Sequence, residues 1–577
     1  MRHRRPAANN NFSSERGSWK KNWKGRLPVA LVFPNTYGVG MSNLGLQLVY
    51  DLVNQGPDLV CERIFLPEND ERPLSVESSR PLADFPVILC SLSFEQDIPS
   101  LVRMLLMAGL APLAADRRHA EIAPGTPLII GGGVCCFINP ETVAPFVEML
   151  VIGEAEPVLP AILERLLEKR ATAGRRELLR RMATELPGCY VPQFYRFHYG
   201  PDQILARIDV EPGLPARVQR LGIAAPAIAA HSRVLSPAAE FADLYMVELG
   251  RGCSKGCRFC AAGFVYRPPR LWSAPAILAA VAERPAGVDR IGLLGMEMVR
   301  TTELQEVAER LLLDGCRLSF SSLRADVIGD SLLELLAGSG LKTVAIAPDG
   351  GSERLRRVIN KGITREDVLL GAERLIKAGI VNLKLYFMIG LPTETEDDLD
   401  EMMALVAEVR ALMTIPGRAR GRLSTLTLSI NPFVPKAWTP FQYHPFAGVG
   451  LLKKKLKYLR QGLQRLANLK IMGEKPDNAF MQAILARGDR RLAPALLDYA
   501  KAGGNWPQVL RRNGLQPELF ATRPRPRAEL FPWEVIDHGI KRDYLWAEYQ
   551  RALAGRATGP CETSRCRRCG VCRQEKR

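Results

Sequence analysis

Residues 245–260 read YMVELGRGCSKGCRFC, and the order of events within them decides the fold. An apolar run of strand length comes first, then the turn-forming Gly250 and Gly252, then Cys253, Cys257 and Cys260 on one short loop. Structural zinc takes four ligands and a closed iron-sulfur cluster usually takes four thiolates, so three thiolates leave one iron of a [4Fe-4S] cluster open. On the residues alone, zinc completed by a distant ligand and plain core cysteines stay as alternatives.

Downstream the pattern repeats. LYMVEL, RIGLLG, CRLSFSS, KTVAIA, LKLYFM and TLTLSI read as strands, with helical periodicity between the first five. Residues 241–445 are therefore predicted to form a partial (β/α)6 TIM-like barrel, whose active site is built by loops leaving the C-terminal ends of the strands. Upstream, VALVFP, PVILCSLS, PLIIGGG and EMLVIG are buried-strand patterns that alternate with helices over residues 26–170. They predict a Rossmann-like doubly wound α/β domain. The mixed segment 171–240 reads as a linker with a small β element, 446–530 as a helical region and 531–577 as a Cys-rich end. Residues 1–25, polar and basic, are expected to be disordered.

At 577 residues the chain exceeds the size at which one core stops growing. No apolar run approaches the ~20 residues that cross a bilayer, so no membrane partner is expected. Thirteen cysteines are too few for a disulfide scaffold, and seven fall in two tight clusters, which suits a reducing, cytoplasmic setting. The net charge of +17 makes RNA one candidate partner, although much of it lies in the N-terminal tail, in KKKLKYLRQGLQR at 453–465 and at the C-terminus.

The C-x3-C-x2-C spacing directly after a strand resembles the signature of the radical S-adenosylmethionine (SAM) superfamily. The resemblance implies that Cys253, Cys257 and Cys260 hold the cluster while its open iron chelates the amino and carboxylate groups of SAM. Phe259 matches an aromatic position near the adenine. Gly295-Met296-Glu297 partly matches a Gly-Gly-Glu element that receives the SAM amino group, with Glu297 as the ligand and Met296 departing from the pattern. Ser322 and Arg324, in SSLRAD after the third strand, offer a hydroxyl and a guanidinium to a ribose or carboxylate. Ser352, in APDGGSERL, brings donors to the same cofactor or simply caps a helix. Gly390-Leu391-Pro392 looks like a G-x-I-P-type element whose backbone meets adenine, so Gly390 and Pro392 join the expected site. NPFVPKAWTPFQ resembles the barrel ending of families with a cobalamin-type or methylthiotransferase-type N-terminal domain.

GGGVCCFINPETVAPFVEMLVIGEAEPVLPAILERL resembles the second half of cobalamin-binding domains. No histidine precedes His119 within the fold, the D-x-H-x-x-G signature is absent, and cobalamin is not expected. NTYGVGMSN is similar to the first ligand loop of methylthiotransferases, yet Val39 stands in the cysteine's place. With Cys90 and Cys135 suited to burial, no auxiliary cluster is expected there. CETSRCRRCGVC places Cys561, Cys566, Cys569 and Cys572 within twelve residues, enough thiolates for zinc or a second iron-sulfur cluster, with Arg565, Arg567 and Arg568 to offset charge.

The whole chain resembles a fused group of radical SAM proteins of unassigned function with a cobalamin-binding-like N-terminal domain. The expected activity is reductive cleavage of SAM to start radical chemistry on an RNA base or a small metabolite, fed by an external electron donor such as flavodoxin or ferredoxin. No general acid or base is assigned. The rival reading is a non-catalytic RNA-binding metalloprotein in which both cysteine clusters are structural.

Overall fold

The computed structural model describes residues 11–69, 71–168, 174–297, 301–320, 322–419, 421 and 424–572. Its first layer is a sheet of β1 (Leu27–Phe33), β2 (Leu59–Phe65), β3 (Val87–Ser91), β4 (Leu128–Gly132), β5 (Met149–Val151) and β6 (Cys189–Tyr190). The spatial order is β2-β1-β3-β4-β5-β6, parallel except that β6 runs against β5. Burial on both faces explains why β1 and β3 are apolar runs instead of alternating ones; β2, LVCERIF, is equally buried but carries Glu62 and Arg63, the latter paired with Glu15 and Glu77. The order reverses between β1 and β3, and at such a switch point a crevice opens beyond the carboxyl ends of the strands.

Two expectations change here. The sheet does not end near residue 170, because the helix Arg175–Glu185 returns the chain and β6 adds to the edge. The expected disorder of residues 1–25 falls for residues 1–10 outside the described residues, and residues 11–25 are ordered. Their two tryptophans pack half-buried against the core while the indole N–H groups donate to carboxylates, Trp19 to Asp51 at 3.0 Å and Trp23 to Glu62 at 2.7 Å. An indole with its donor satisfied is a strong anchor for an otherwise polar segment.

The second α/β unit carries β7 (Tyr245–Glu248), β8 (Arg290–Leu294), β9 (Arg317–Phe320), β10 (Thr343–Asp349), β11 (Asn382–Ile389), β12 (Leu426–Pro432) and β13 (Leu469–Met472). They form a three-stranded and a four-stranded parallel sheet, joined by the parallel bridge of Leu323 with Ile346. The six strands read from the sequence are all present. The seventh, β13, lies inside the stretch expected to be helical: Val449–Leu463 is a helix, but LKIM beyond it pairs in register with β12. Segment 171–240 supplies its β element as the hairpin Tyr195–Tyr199 with Leu205–Val210. Farther on, His231 bridges antiparallel to Val247 along the free edge of β7.

One apolar core runs from the first sheet through β10–β12 to the C-terminal helices, and a smaller one packs β7–β9 against Ala274–Ala282 and Thr301–Leu313. The C-terminal region is fastened to the first domain by polar contacts as well. Asn139 donates to the Gly488 carbonyl at 2.9 Å, Thr142 to the Leu485 carbonyl at 2.9 Å, and Arg490 meets the fully buried Glu141 at 2.7 Å. Replacing Arg490 with Ala would leave that carboxylate without its counter-charge, held only by the Tyr190 hydroxyl, at a cost of about 3–5 kcal/mol. A fall in the chemical-denaturation midpoint measures it, and an unchanged midpoint would show that this contact does not hold the two regions together.

Candidate metal and cofactor site

The cysteine loop leaves the carboxyl end of β7 and is closed by a two-residue antiparallel ribbon, Gly250–Arg251 with Arg270–Leu271. Gly252 has φ 90°, and a Cβ there would lie 2.7 Å from the Tyr266 carbonyl oxygen, so the turn admits only glycine. Within the loop the Cys260 amide donates to the Cys257 carbonyl at 3.1 Å, and the short helix Ala262–Val265 follows. Burial pushes the Cys253 thiol up to about 11, opposed by the Lys255 amide. It pushes Cys257 up to about 12, opposed by the charge of Lys361. It raises Cys260 as well, opposed by the amides of Gly263 and Ala262. Each sulfur thus has a donor or cation that favours thiolate, and a bound cluster would supply the missing charge compensation. Among the described residues no three His, Cys, Asp or Glu converge as one bound ion would require. A cubane cluster asks for something different, one thiolate on each of three separate irons.

Two buried arginines fix the loop from opposite sides. Arg251 reaches Glu248 at 2.9 Å and, across the domain boundary, Glu154 at 3.0 Å and Glu156 at 2.7 Å. Glu154 also pairs with Arg270 at 2.5 Å; burial raises its pKa, but the Arg270 hydrogen bond and the charges of Arg251 and Arg270 outweigh that and hold it below its ordinary value. Arg258, fully buried, donates to Glu548, to the carbonyls of Arg357, Val358 and Arg556, and to the Thr558 hydroxyl. Asn360 completes the cradle, its amide donating to the Lys255 and Gly256 carbonyls at 3.4 and 3.2 Å while its oxygen accepts from the Thr558 amide at 2.7 Å.

The residues expected around the cofactor separate into groups. Glu297 sits on the loop itself, accepting from the Ser254 amide at 2.6 Å and hydroxyl at 2.5 Å. Arg324 faces Cys253 and Cys257, held by Asp326 at 3.0 Å and the Lys361 carbonyl at 2.8 Å. Ser322 beside it is exposed, Ser321 lies outside the described residues, and Phe259 is half-buried against the core. Gly390 and Pro392 form the turn after β11, Gly390 at φ 77° with its amide donating to Glu394 at 2.7 Å. Ser352 acts as a helix cap, accepting from the Leu355 amide at 3.0 Å and donating to Asp398, so its hydroxyl is engaged inside the fold. Sequence reasoning missed Asp349 and Lys361, a nearly buried ion pair at 2.5 Å whose charges act on Cys257 and Cys260. The signal was present, since Asp349 lies within the quoted APDGGSERL segment and Lys361 shortly after it, but pairing across twelve residues is invisible to periodicity.

The terminal cysteines, distant in sequence, come to the same place: the Cys561 amide donates to the Ser254 carbonyl at 2.7 Å. Arg568 donates to the Cys566 sulfur at 3.4 Å and, against burial, draws that thiol below its ordinary value. Cys90, Cys135 and Cys136 are buried small side chains with thiols raised by burial. On the other side of the loop, the crevice at the first sheet's switch point encloses about 290 Å³. Leu31, Leu89, Ile130 and Phe137 wall it, Gly131, Gly132 and Gly133 line its edge, and Glu248, Arg251 and Tyr266 close it from the barrel. No described helix is long and apolar enough to cross a membrane.

Residues 45–192 match the family model of the N-terminal region of radical SAM proteins, and residues 247–406 match that of the radical SAM superfamily. The chain is 27% identical over 495 residues to an uncharacterized protein of Methanocaldococcus jannaschii, covering 84% of this chain and 94% of that one. It is 25% identical over 210 residues to the tRNA-2-methylthio-N(6)-dimethylallyladenosine synthase of Hahella chejuensis, covering 33% of this chain and 46% of that one. Among solved structures it is similar to the radical S-adenosylmethionine methyltransferase TsrM from Kitasatospora setae, with TM-score 0.44 and 14% identity over 74% of this chain and 76% of that one. The cobalamin-dependent S-adenosylmethionine radical enzyme OxsB aligns with TM-score 0.45 and 17% identity over 67% of this chain and 53% of that one.

Asn360 offers a direct test of the cradle. Asn360→Ala leaves two loop carbonyls and the Thr558 amide without their partner, about 1–3 kcal/mol of lost support. Iron bound by the variant should be stripped by a chelator faster than from the parent protein; equal stripping rates would show that Asn360 does not brace the loop.

Proposed function

Because the chain belongs to the radical SAM superfamily and is an enzyme of it, we propose that Cys253, Cys257 and Cys260 hold a [4Fe-4S] cluster at which SAM is cleaved reductively. The observation that carries this reading is one short loop that brings three partly accessible, unbridged thiols to the carboxyl end of β7, beside Arg324 and the Asp349–Lys361 pair. When bound there, the cluster supplies an electron to the SAM sulfonium, giving methionine and a radical that abstracts hydrogen from a substrate.

The residues around it have separable tasks. Glu297 holds the Ser254 end of the loop and presents a carboxylate toward the amino group of SAM. Arg324, fixed by Asp326, offers a preorganised guanidinium to the SAM carboxylate. The Gly390–Pro392 turn keeps backbone polar groups at the adenine end, with Phe259 as the apolar face. Asp349 and Lys361, each neutralising the other, set the local charge without adding a net one.

The crevice between the first sheet and the barrel is of small-molecule size and mostly apolar, which favours a compact metabolite over a folded RNA as the reaction partner. A second reading rests on the three glycines along the crevice edge, a surface that a flat corrinoid would cover without an imidazole for its cobalt, as no histidine lines the crevice. Corrinoid absorbance that survives desalting, from protein made in cobalamin-fed cells, assigns the crevice to that cofactor. Its absence assigns the crevice to substrate. A flavodoxin or ferredoxin is the proposed electron donor.

Anaerobically reconstituted protein with a strong reductant should form 5′-deoxyadenosine from SAM, and Cys257→Ala should abolish it. Undiminished product from that variant would sink the assignment.

A further inference from the structure

Where the helix Pro476–Arg487 ends, the chain meets the hairpin Tyr195–Tyr199 with Leu205–Val210 and leaves a space of about 20 Å³. A water needs about 10–15 Å³, so the space takes one guest of about that size. Four guanidinium groups line it, those of Arg487, Arg491, Arg523 and Arg525, against two carboxylates, Asp489 and Glu529. Four against two leaves a surplus of two positive charges. Asp489 answers Arg491 at 2.7 Å, while Glu529 is divided between Arg523 at 2.5 Å and Arg525 at 3.3 Å. Arg487 is left over. It is 1% exposed and donates to the carbonyls of His444 and Ala521, which answer its hydrogen bonds but not its charge. The equally buried Arg63, Arg117 and Arg258 each meet a carboxylate. A second observation points into the same space: Arg487 and Arg525 each keep a buried Nε–H with no acceptor. The two are in contact, since Arg525 donates to the Arg487 carbonyl at 3.2 Å. Burial, and after it the charges of Arg525 and Arg523, push the Arg487 pKa well below its ordinary value against the pull of Glu529.

We propose that this space binds a single-atom anion of chloride's class, held by the Nε–H groups of Arg487 and Arg525 and by the surplus charge of the four guanidinium groups. A water would accept the same N–H groups but leave both charges uncompensated, and an unpaired buried charge is strongly destabilising. An oxyanion such as phosphate would bring more acceptors, but it needs more room than one water does. Arg491 and Arg523, each 24% exposed at the side chain, form the rim and give the ion its way in. The site stands apart from the cysteine loop and owes nothing to the metal proposed there. Its place in the fold gives it a task. The chain around Arg487 presents the Leu485 and Gly488 carbonyls to Thr142 and Asn139 of the first domain, and Arg491 donates to the Gln203 carbonyl at 3.0 Å. An anion there lies directly behind the seam that fastens the C-terminal region to the first domain, and its occupancy strengthens that seam.

The test is urea unfolding of the full-length protein at fixed ionic strength, with sodium gluconate exchanged stepwise for sodium chloride. A ligand that binds only the folded chain stabilises it with the logarithm of its concentration. The midpoint should therefore climb by a constant step for each tenfold rise in chloride above the dissociation constant. Arg487→Met, similar in length but uncharged, should lose that climb. A parent midpoint that is equal in gluconate and chloride overturns the proposal, as does a climb that survives intact in the variant. A climb with sodium phosphate but none with chloride overturns the assignment to a single-atom anion. Should Arg487→Met not fold, crystals of the parent protein grown with bromide in place of chloride decide the matter. An anomalous-scattering peak between the Nε atoms of Arg487 and Arg525 is the expected result, and no peak there overturns the proposal.

Discussion

A fully buried guanidinium has five N–H groups and no water to give them to. Arg258 lies between the second and third cysteines of the barrel loop, and its fork is answered by one carboxylate, one hydroxyl and three backbone carbonyls from two separate parts of the chain. Leaving it unanswered would cost several kcal/mol, so wherever the loop goes, residues 357–358 and 548–558 must go with it. Arg251, at the other end of the loop, makes the same demand of the first domain through Glu154 and Glu156. The cysteine loop is thus a keystone held by charge in a structure whose bulk is apolar.

That arrangement explains why three regions of different character share one core. The first sheet and the barrel turn their carboxyl ends toward each other, and Lys436, after β12, pairs at 2.5 Å with Glu95, after β3. Parallel strands give every loop of one end to the same side, so facing two such ends places many short polar loops around one space. Strong burial of the strands sets the scaffold, and a small number of ion pairs sets the register between the halves.

How much of this was legible follows from the range of each interaction. Strands buried on both faces announce themselves as local apolar runs, and the cysteine loop after β7 is readable for the same reason. β13 was hidden because four half-exposed residues, LKIM, continue the composition of the preceding helix, and only pairing with β12 makes them a strand. The ordering of residues 11–25 was hidden because Trp19 and Trp23 find their acceptors more than thirty residues away. Glu297 and Arg324 lie beside the cysteines as the motif order suggested, whereas Ser352 shows the limit of motif reading: a residue at the right place along the chain can have its hydroxyl committed to a cap. Asn360, Asp349 and Arg258 carry no local signature, since their roles exist only once distant segments meet.

The bond between Cys561 and Ser254 also has a schedule. About three hundred residues separate its two ends, and at ~5–20 residues per second a ribosome takes roughly 15 to 60 s to cover that distance. Throughout that interval the cysteine loop has been synthesised but its floor has not. Arg258 waits without its C-terminal acceptors, and the three thiols stand in a half-built pocket. Loading iron onto a finished protein and loading it onto a nascent chain are therefore different chemical problems for this molecule, and the second would place metal where the geometry to retain it does not yet exist.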